Sequence, residues 1–201
     1  MKELLIATRN KKKLAEIKRL LKGSGIKVLC VDNFKDLPDV EEDGKTFNAN
    51  ARKKAIEISS RVNMLVMADD SGLEVPSLGN APGIYSARYA GSSQDDDKNI
   101  EKLLNDMSSF IGRKRRARFR CLICLSYGKK VIRMIDGRVN GSISFNVKGK
   151  TGFGYDPVFI PDGYTKTFAQ LGSKEKDKIS HRAIALNNAK DAILKYFQRY
   201  R

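Results

Sequence analysis

Two adjacent carboxylates, Asp69 and Asp70, carry the clearest chemical capacity in this chain. They follow the apolar run Met64-Leu65-Val66-Met67-Ala68 and precede Ser71-Gly72-Leu73. A carboxylate so placed can hold a divalent cation, or orient and deprotonate a water. Ser71 can donate to a phosphate oxygen, and Gly72 allows a close backbone approach. The competing reading is an Asx turn, with Asp69 or Asp70 bonded to its own backbone. A second acidic group, Glu41-Glu42-Asp43, lies just ahead of a helix-forming stretch. Magnesium is satisfied by one or two carboxylates together with substrate phosphates and water. Glu41, Glu42 and Asp70 are therefore the candidate metal ligands. Successive residues of an extended chain point opposite ways, so one of Glu41 and Glu42 faces such an ion, and spacing leaves both as candidates.

Phosphate-binding capacity lies near the N-terminus, in Ala7-Thr8-Arg9-Asn10-Lys11-Lys12-Lys13. A strand that turns into a helix aims backbone N–H groups and a positive dipole end at an anion. Thr8 and Asn10 add side-chain donors, and Lys13 can reach a phosphate as a point charge. The glycines of a P-loop are missing. On a later helix Asn50 and Lys54 are four residues apart and share a face. In Gly152-Phe153-Gly154-Tyr155-Asp156 the ring of Phe153 is suited to stacking on a base, a contact of roughly 1–3 kcal/mol. His181 is the only histidine of the chain and stands next to Arg182. The pair can donate hydrogen bonds at a helix start, whereas no Ser-His-Asp arrangement emerges from spacing. Such an inventory fits a magnesium-dependent enzyme acting on a nucleoside triphosphate.

The elements that must position these groups follow from periodicity. Leu4 to Thr8 reads as a buried strand and Lys11 to Lys22 as a helix with Leu14, Ile17, Leu20 and Leu21 on one stripe. Gly23 and Gly25 end that helix. Strands are expected at Ile26 to Val31 and at Met64 to Ala68, the second ending at the acidic pair. Helices are expected at Thr46 to Arg61 and at Asp95 to Met107, the latter begun by aspartates that suit its dipole. Ala117 to Ser126 and Val131 to Ile143 read as a hairpin turning at Gly128. A short strand at Val158 to Ile160 and a helix from Ser180 to Arg199 complete the chain. The order strand–helix–strand followed by a hairpin predicts an α/β fold with a mixed sheet, whose sites lie beyond strand ends.

Composition limits the alternatives. The chain has 201 residues, 41% of them hydrophobic, which suits one domain with a sizeable core. No apolar run approaches the roughly 20 residues of a membrane span, and the N-terminal run is too short for a signal peptide. We expect a cytoplasmic protein. Cys30, Cys121 and Cys124 are too few for a disulfide framework. Cys121-Leu122-Ile123-Cys124 lies in an apolar strand whose third neighbours face opposite sides, so it reads as core and not as a metal site. The net charge is +16, from 39 Lys+Arg against 23 Asp+Glu. That excess favours anionic partners, whether polyphosphates or nucleic acid. The densest cluster, Arg113-Lys114-Arg115-Arg116 with Arg118 and Arg120, reads as a solvated loop leading into a strand.

Taken together, the motifs resemble those of the inosine triphosphate pyrophosphatases, also called XTP/dITP diphosphatases. The matching stretches, in order, begin with Ala7-Thr8-x-Asn10-x-x-Lys13 and Glu41-Glu42-x-Gly44-x-x-Phe47-x-x-Asn50-Ala51-x-x-Lys54-Ala55. They continue with Ala68 to Leu73, Pro82 to Arg88, Gly152 to Pro157, and Glu175-Lys176-x-x-Ile179-Ser180-His181-Arg182. The resemblance implies a single nucleoside triphosphate pyrophosphatase domain over 1–201. It implies hydrolysis of ITP, dITP and XTP to the monophosphate and pyrophosphate with Mg2+, and thus cleansing of the nucleotide pool. It also implies an elongated two-lobed α/β fold, with helices flanking a mixed central sheet and an active-site cleft between the lobes. A homodimer is implied, with no membrane and no nucleic acid needed. By matched position, Thr8, Arg9, Asn10, Lys11, Lys12, Lys13, Lys54 and Ser71 would hold the triphosphate. Asp70 would be the proton acceptor and a metal ligand, partnered from the Glu41–Glu42 pair. Phe153, Gly154, Tyr155, Asp156, Lys176, His181 and Arg182 would form the base and nucleotide pocket. Arg9 stands where the family often has a small residue, and it either crowds the phosphates or points outward. Asn80 replaces a common glycine. The alternatives are a basic RNA-binding module, motivated by the charge, and a hydrolase for another modified nucleotide.

Overall fold

The structure is a computed structural model and describes residues 2–92 and 94–199. Six strands form one sheet in the order β2-β1-β3-β4-β5-β6. They are β1 (Lys2–Ile6), β2 (Ile26–Cys30), β3 (Leu65–Glu74), β4 (Arg116–Tyr127), β5 (Lys130–Ile143) and β6 (Phe159–Pro161). The helices are α1 (Lys11–Leu20), α2 (Phe47–Ser59), α3 (Asp96–Asp106), α4 (Phe168–Ile179) and α5 (His181–Arg199). The sheet is mixed: β1 pairs parallel with both β2 and β3, and β5 pairs antiparallel with β6. Among the described residues, no helix is long and apolar enough to cross a membrane.

Residue contacts divide the chain into two compact units. The first comprises residues 1–70, 121–137 and 182–201, and the second residues 71–120 and 138–181. In the first, Leu4, Ile6, Leu65, Met67, Cys121, Ile123 and Leu125 meet Ile17 and Leu21 of α1 and Ala185, Leu186, Ala189 and Ile193 of α5. In the second, Leu73, Ile100, Leu103, Met107, Phe119, Ile143, Phe159 and Phe168 form the core.

Caps fix the helix starts that matter for the site. The Asn10 side chain accepts from the Lys13 amide at 3.0 Å and so sets where α1 begins. Thr46 caps α2 through the Ala49 amide at 3.1 Å, and Asp95 caps α3 through the amides of Asp97 and Lys98. Thr167 and Gln170 form a capping box at α4. That helix was not anticipated from the sequence: Gly172, at φ 77°, interrupts it and breaks the apolar period.

Two further expectations are corrected. The acidic pair does not end its strand, because β3 runs on to Glu74 and holds Asp69 and Asp70 in its interior. The basic cluster is not uniformly solvated. Arg115 is buried, and its guanidinium donates to the carbonyls of Met107, Phe110, Ile143 and Ser144. It also covers the Phe145 ring at 4.2 Å. Arg116 pairs with Asp162 at 2.6 Å, and both Arg118 and Arg120 pair with Glu74. The cysteines behave as read: Cys121 and Cys124 are buried and all three are free thiols.

Candidate active site

The acidic pair lies where the parallel part of the sheet stops. The β1–β3 register runs from Leu4 opposite Leu65 to Ile6 opposite Met67, and the Ala7 amide still bonds the Met67 carbonyl at 2.8 Å. Beyond that point β1 turns away through Thr8 into α1, while β3 continues with Asp69 and Asp70. The turn is closed by the Asn10 amide, which donates to the Thr8 hydroxyl at 3.2 Å. The C-terminal edge of β1 is thus where polar groups gather, as open α/β sheets favour.

Asp69 and Asp70 are both buried and, as neighbours on a strand, serve opposite sides. On one side, Asp70 Oδ2 accepts from the Asn50 amide at 3.0 Å. Asn50 Oδ1 in turn accepts from the Gly44 amide at 2.8 Å, which ties the acidic loop to α2. A Cβ at Gly44 would lie 2.6 Å from that oxygen, so the approach requires glycine. Lys54 joins the two acidic groups, donating to Glu42 Oε1 at 2.7 Å and to the Asp69 carbonyl at 2.7 Å. Glu42 is the partly buried member of its pair and Glu41 is exposed.

Burial pushes the Asp70 carboxyl above the usual carboxylate range; Lys54 and Lys13 oppose the rise and Glu42 adds to it. A buried carboxylate whose proton affinity is raised by a second acidic side chain forms with it a donor set that a divalent cation relieves. Glu42 and Asp70 therefore fit magnesium, with phosphate and water as its remaining ligands. Among the described residues no group of three or more His, Cys, Asp or Glu side chains is placed to hold a metal ion.

On the other side of β3, Asp69 Oδ2 lies 3.3 Å from Lys13 Nζ and 3.3 Å from a terminal nitrogen of Arg182. Burial alone would raise the Asp69 carboxyl, but Lys13, Arg182 and Lys54 outweigh it and hold it far below the usual range. Arg182 is 1% exposed and also pairs with the buried Glu16. Burial works against its charge, and Glu16 and Asp69 restore it.

The expected phosphate-binding residues therefore divide. Lys13 turns inward, whereas Lys11 and Lys12 are exposed on α1. Arg9 is held by Asp32, Asp39 and the Leu37 carbonyl, so its side chain is engaged by that acidic loop.

The second unit holds a separate polar group. Lys176 is buried, donates to Asp156 Oδ2 at 2.7 Å, and has its ammonium 4.5 Å from the centre of the Phe153 ring. Asp156 Oδ2 also accepts from the Phe153 amide at 2.9 Å, fixing the loop that carries the ring. A Cβ at Gly152, where φ is +83°, would lie 2.1 Å from that same oxygen. Only glycine suits the position. The Gly154 amide donates to Asp96 at 3.0 Å, and the Tyr155 hydroxyl donates to the Ser86 carbonyl at 2.9 Å. His181 is buried and stacks on Phe119, with ring centres 4.7 Å apart and planes 9° from parallel. Ser71 also belongs to this unit, on β3.

Sequence reasoning missed Glu16 and the part played by Asp69. Glu16 has no sequence signal, for an acid on an exposed-looking helix is ordinarily solvated. Asp69 was visible only as the neighbour of Asp70. Asn50 did have a signal, its four-residue spacing from Lys54.

Fold and site together define a mixed-sheet α/β protein in which paired carboxylates and inward lysines meet at the edge of a parallel strand. The chain belongs to the Ham1 family, whose profile matches residues 4–192. It is 45% identical over 186 residues to the dITP/XTP pyrophosphatase of Bacillus subtilis (strain 168), covering 92% of this chain and 94% of that one. The Staphylococcus aureus Ham1 protein superposes with a TM-score of 0.85 at 40% identity, over 97% of this chain and 100% of that one. A HAM1 protein from Coxiella burnetii gives a TM-score of 0.88 at 36% identity, again over 97% and 100%.

Proposed function

We propose that this chain hydrolyses the deaminated purine triphosphates ITP, dITP and XTP to the nucleoside monophosphate and pyrophosphate, with magnesium. The observation that carries the reading is the setting of Asp70: buried on β3, held by Asn50, and close enough to Glu42 and Lys54 to feel both. Of these substrates, dITP and XTP are the ones in the name of the Bacillus subtilis relative. Glu42 and Asp70 would hold the metal, which when bound would neutralise phosphate charge and organise the triphosphate. Asp70 orients a water and accepts its proton as the oxygen attacks the α-phosphorus; the α–β bridging bond breaks and pyrophosphate leaves. A carboxyl raised by burial accepts that proton more readily than an exposed one. Lys13 and Lys54 stabilise charge gathering on the leaving group.

Phe153 is assigned to stacking on the base, with Lys176 and Asp156 fixing its loop. Arg182 and His181 are assigned to the base edge. A donor that bonds the 6-keto group of hypoxanthine or xanthine meets a 6-amino donor on adenine, at roughly 1–3 kcal/mol per unpaired buried group. The same reading includes a homodimer in the cytoplasm, which sedimentation of the purified protein tests for its oligomeric part. The deciding experiment is pyrophosphate release from ITP, dITP, XTP, ATP, GTP and dUTP with magnesium. ITP, dITP or XTP should lead the panel, and a chelator should stop turnover until magnesium is returned. A panel led by dUTP, or turnover indifferent to chelation, overturns the reading.

A further inference from the structure

We infer that Asp69 is a positioning residue that locks Lys13 to Arg182, so that one carboxylate serves both triphosphate turnover and purine discrimination. The inference rests on the proposed function and adds to it a residue with no part in the roles given above. Lys13 and Arg182 come from opposite ends of the sequence, the first turn of α1 and the first turn of α5. Both meet the same atom, Asp69 Oδ2, at 3.3 Å. A third cation, Lys54, is fixed by the Asp69 backbone carbonyl at 2.7 Å. Three cations thus converge on one residue of β3. The carboxylate itself has no side-chain exposure, and Cys121 Sγ lies 4.0 Å away, so water does not substitute for it. Held in this way, the two cations have their directions set before any nucleotide arrives, which is where positioning contributes most to rate. Glu16 holds the other terminal nitrogen of Arg182, so the guanidinium plane is fixed from two sides.

The test is steady-state kinetics on Asp69→Asn, with ITP and ATP as substrates, alongside Lys13→Ala and the double variant. Asparagine keeps the shape and removes the charge. Removal of an anion does not weaken polyphosphate attraction, so KM for ITP should change little while kcat falls about tenfold or more. The ITP-to-ATP ratio of kcat/KM should narrow by about tenfold as Arg182 loses its direction. The double variant should lose less than the product of the two single losses, because both act through one contact. A merely structural role would lower the folded fraction, scale ITP and ATP alike, and multiply freely with Lys13→Ala. A ratio within about twofold of the unmutated protein, or losses that multiply, overturns the inference. If Asp69→Asn does not fold, Asp69→Glu is read in its place. It retains the charge and displaces the carboxylate by one methylene, and the ratio should still narrow. An unchanged ratio there overturns the inference equally. An unmutated protein without preference for ITP would instead remove the proposed function itself.

Discussion

At the scale of single residues, burial and pairing decide which side chains can react. Asp70→Asn removes the proposed proton acceptor and one carboxylate of the proposed metal pair but keeps a partner for Asn50. Pyrophosphate release from ITP should drop by about a thousandfold or more, with thermal stability close to that of the unmutated protein. Near-normal turnover would remove Asp70 from the mechanism. The cysteines allow a second test. Burial pushes the Cys124 thiol up to about 11 and the Cys121 thiol higher still. Both therefore remain protonated, hence unreactive, well above neutral pH. Cys30 is half-buried and adjoins Asn33. A thiol reagent at pH 8 should modify one cysteine in the native protein and three after unfolding; prompt reaction of two or three in the native state would contradict the burial. Residue types marked Asp70, Lys54, Phe153 and His181 beforehand as candidates, since they stand in motifs of unusual composition. Pairing was not legible. Arg182 reads in sequence as a base-edge donor, and the structure surrounds it with Glu16 and Asp69. Arg9 reads either as crowding the phosphates or as pointing outward, and the structure pairs it with Asp32 and Asp39. Such partners are 23 to 166 residues away in sequence, a separation over which local spacing carries no information.

At the scale of elements, the periodic segments were readable and the interrupted ones were not. The apolar stripe of α1, the buried face of α2 and the long β4–β5 pair follow from spacing that local structure imposes directly. The extension of β3 does not, because Asp-Asp-Ser-Gly has the composition of a turn. It remains a strand because Lys13, Lys54, Arg182 and Asn50 compensate the two charges inside it. The short β6 is held by close backbone approach to β5, and this gives a clean test. Gly141 faces Pro161 in the β5–β6 register, and a Cβ there would lie 2.3 Å from the Ile160 carbonyl oxygen and 2.6 Å from the Phe159 ring. Neither the carbonyl nor the buried ring can yield without shifting the pairing. Gly141→Ala should destabilise the protein by about 1–3 kcal/mol, as overpacking does. Gly128→Ala, at φ +57° with open space around it, should cost only about 1–2 kcal/mol of left-handed strain. Thermal melts of the two variants compare crowding with strain directly. A Gly141→Ala protein as stable as its parent would mean that β6 is not tightly packed on β5.

At the scale of the whole molecule, the charge of +16 is the property most open to misreading. It accommodates a polyphosphate substrate and a nucleic-acid partner alike, and composition alone does not separate them. What separates them is how the charge is spent. The densest basic run does not form an open stripe: Arg115 is consumed by four carbonyls, Arg116 by Asp162, and Arg118 and Arg120 by Glu74. Lys13, Lys54, Lys176 and Arg182 are committed to carboxylates on or near the proposed nucleotide-handling groups. Other basic side chains, Lys11, Lys12, Arg113 and Lys114 among them, are exposed, and a net positive surface attracts anions without fixing them. Binding of that kind is a counterion effect that weakens steeply with salt, by orders of magnitude between about 50 and 200 mM for several phosphate contacts. The protein should therefore retain a short single-stranded RNA in a gel shift at low salt and release it at moderate salt. ITP turnover should survive the same change, because the lysines and carboxylates proposed to act on the triphosphate are largely buried and escape most screening. RNA retention that persists at moderate salt while ITP turnover is absent would assign the charge to nucleic acid and reverse the functional reading.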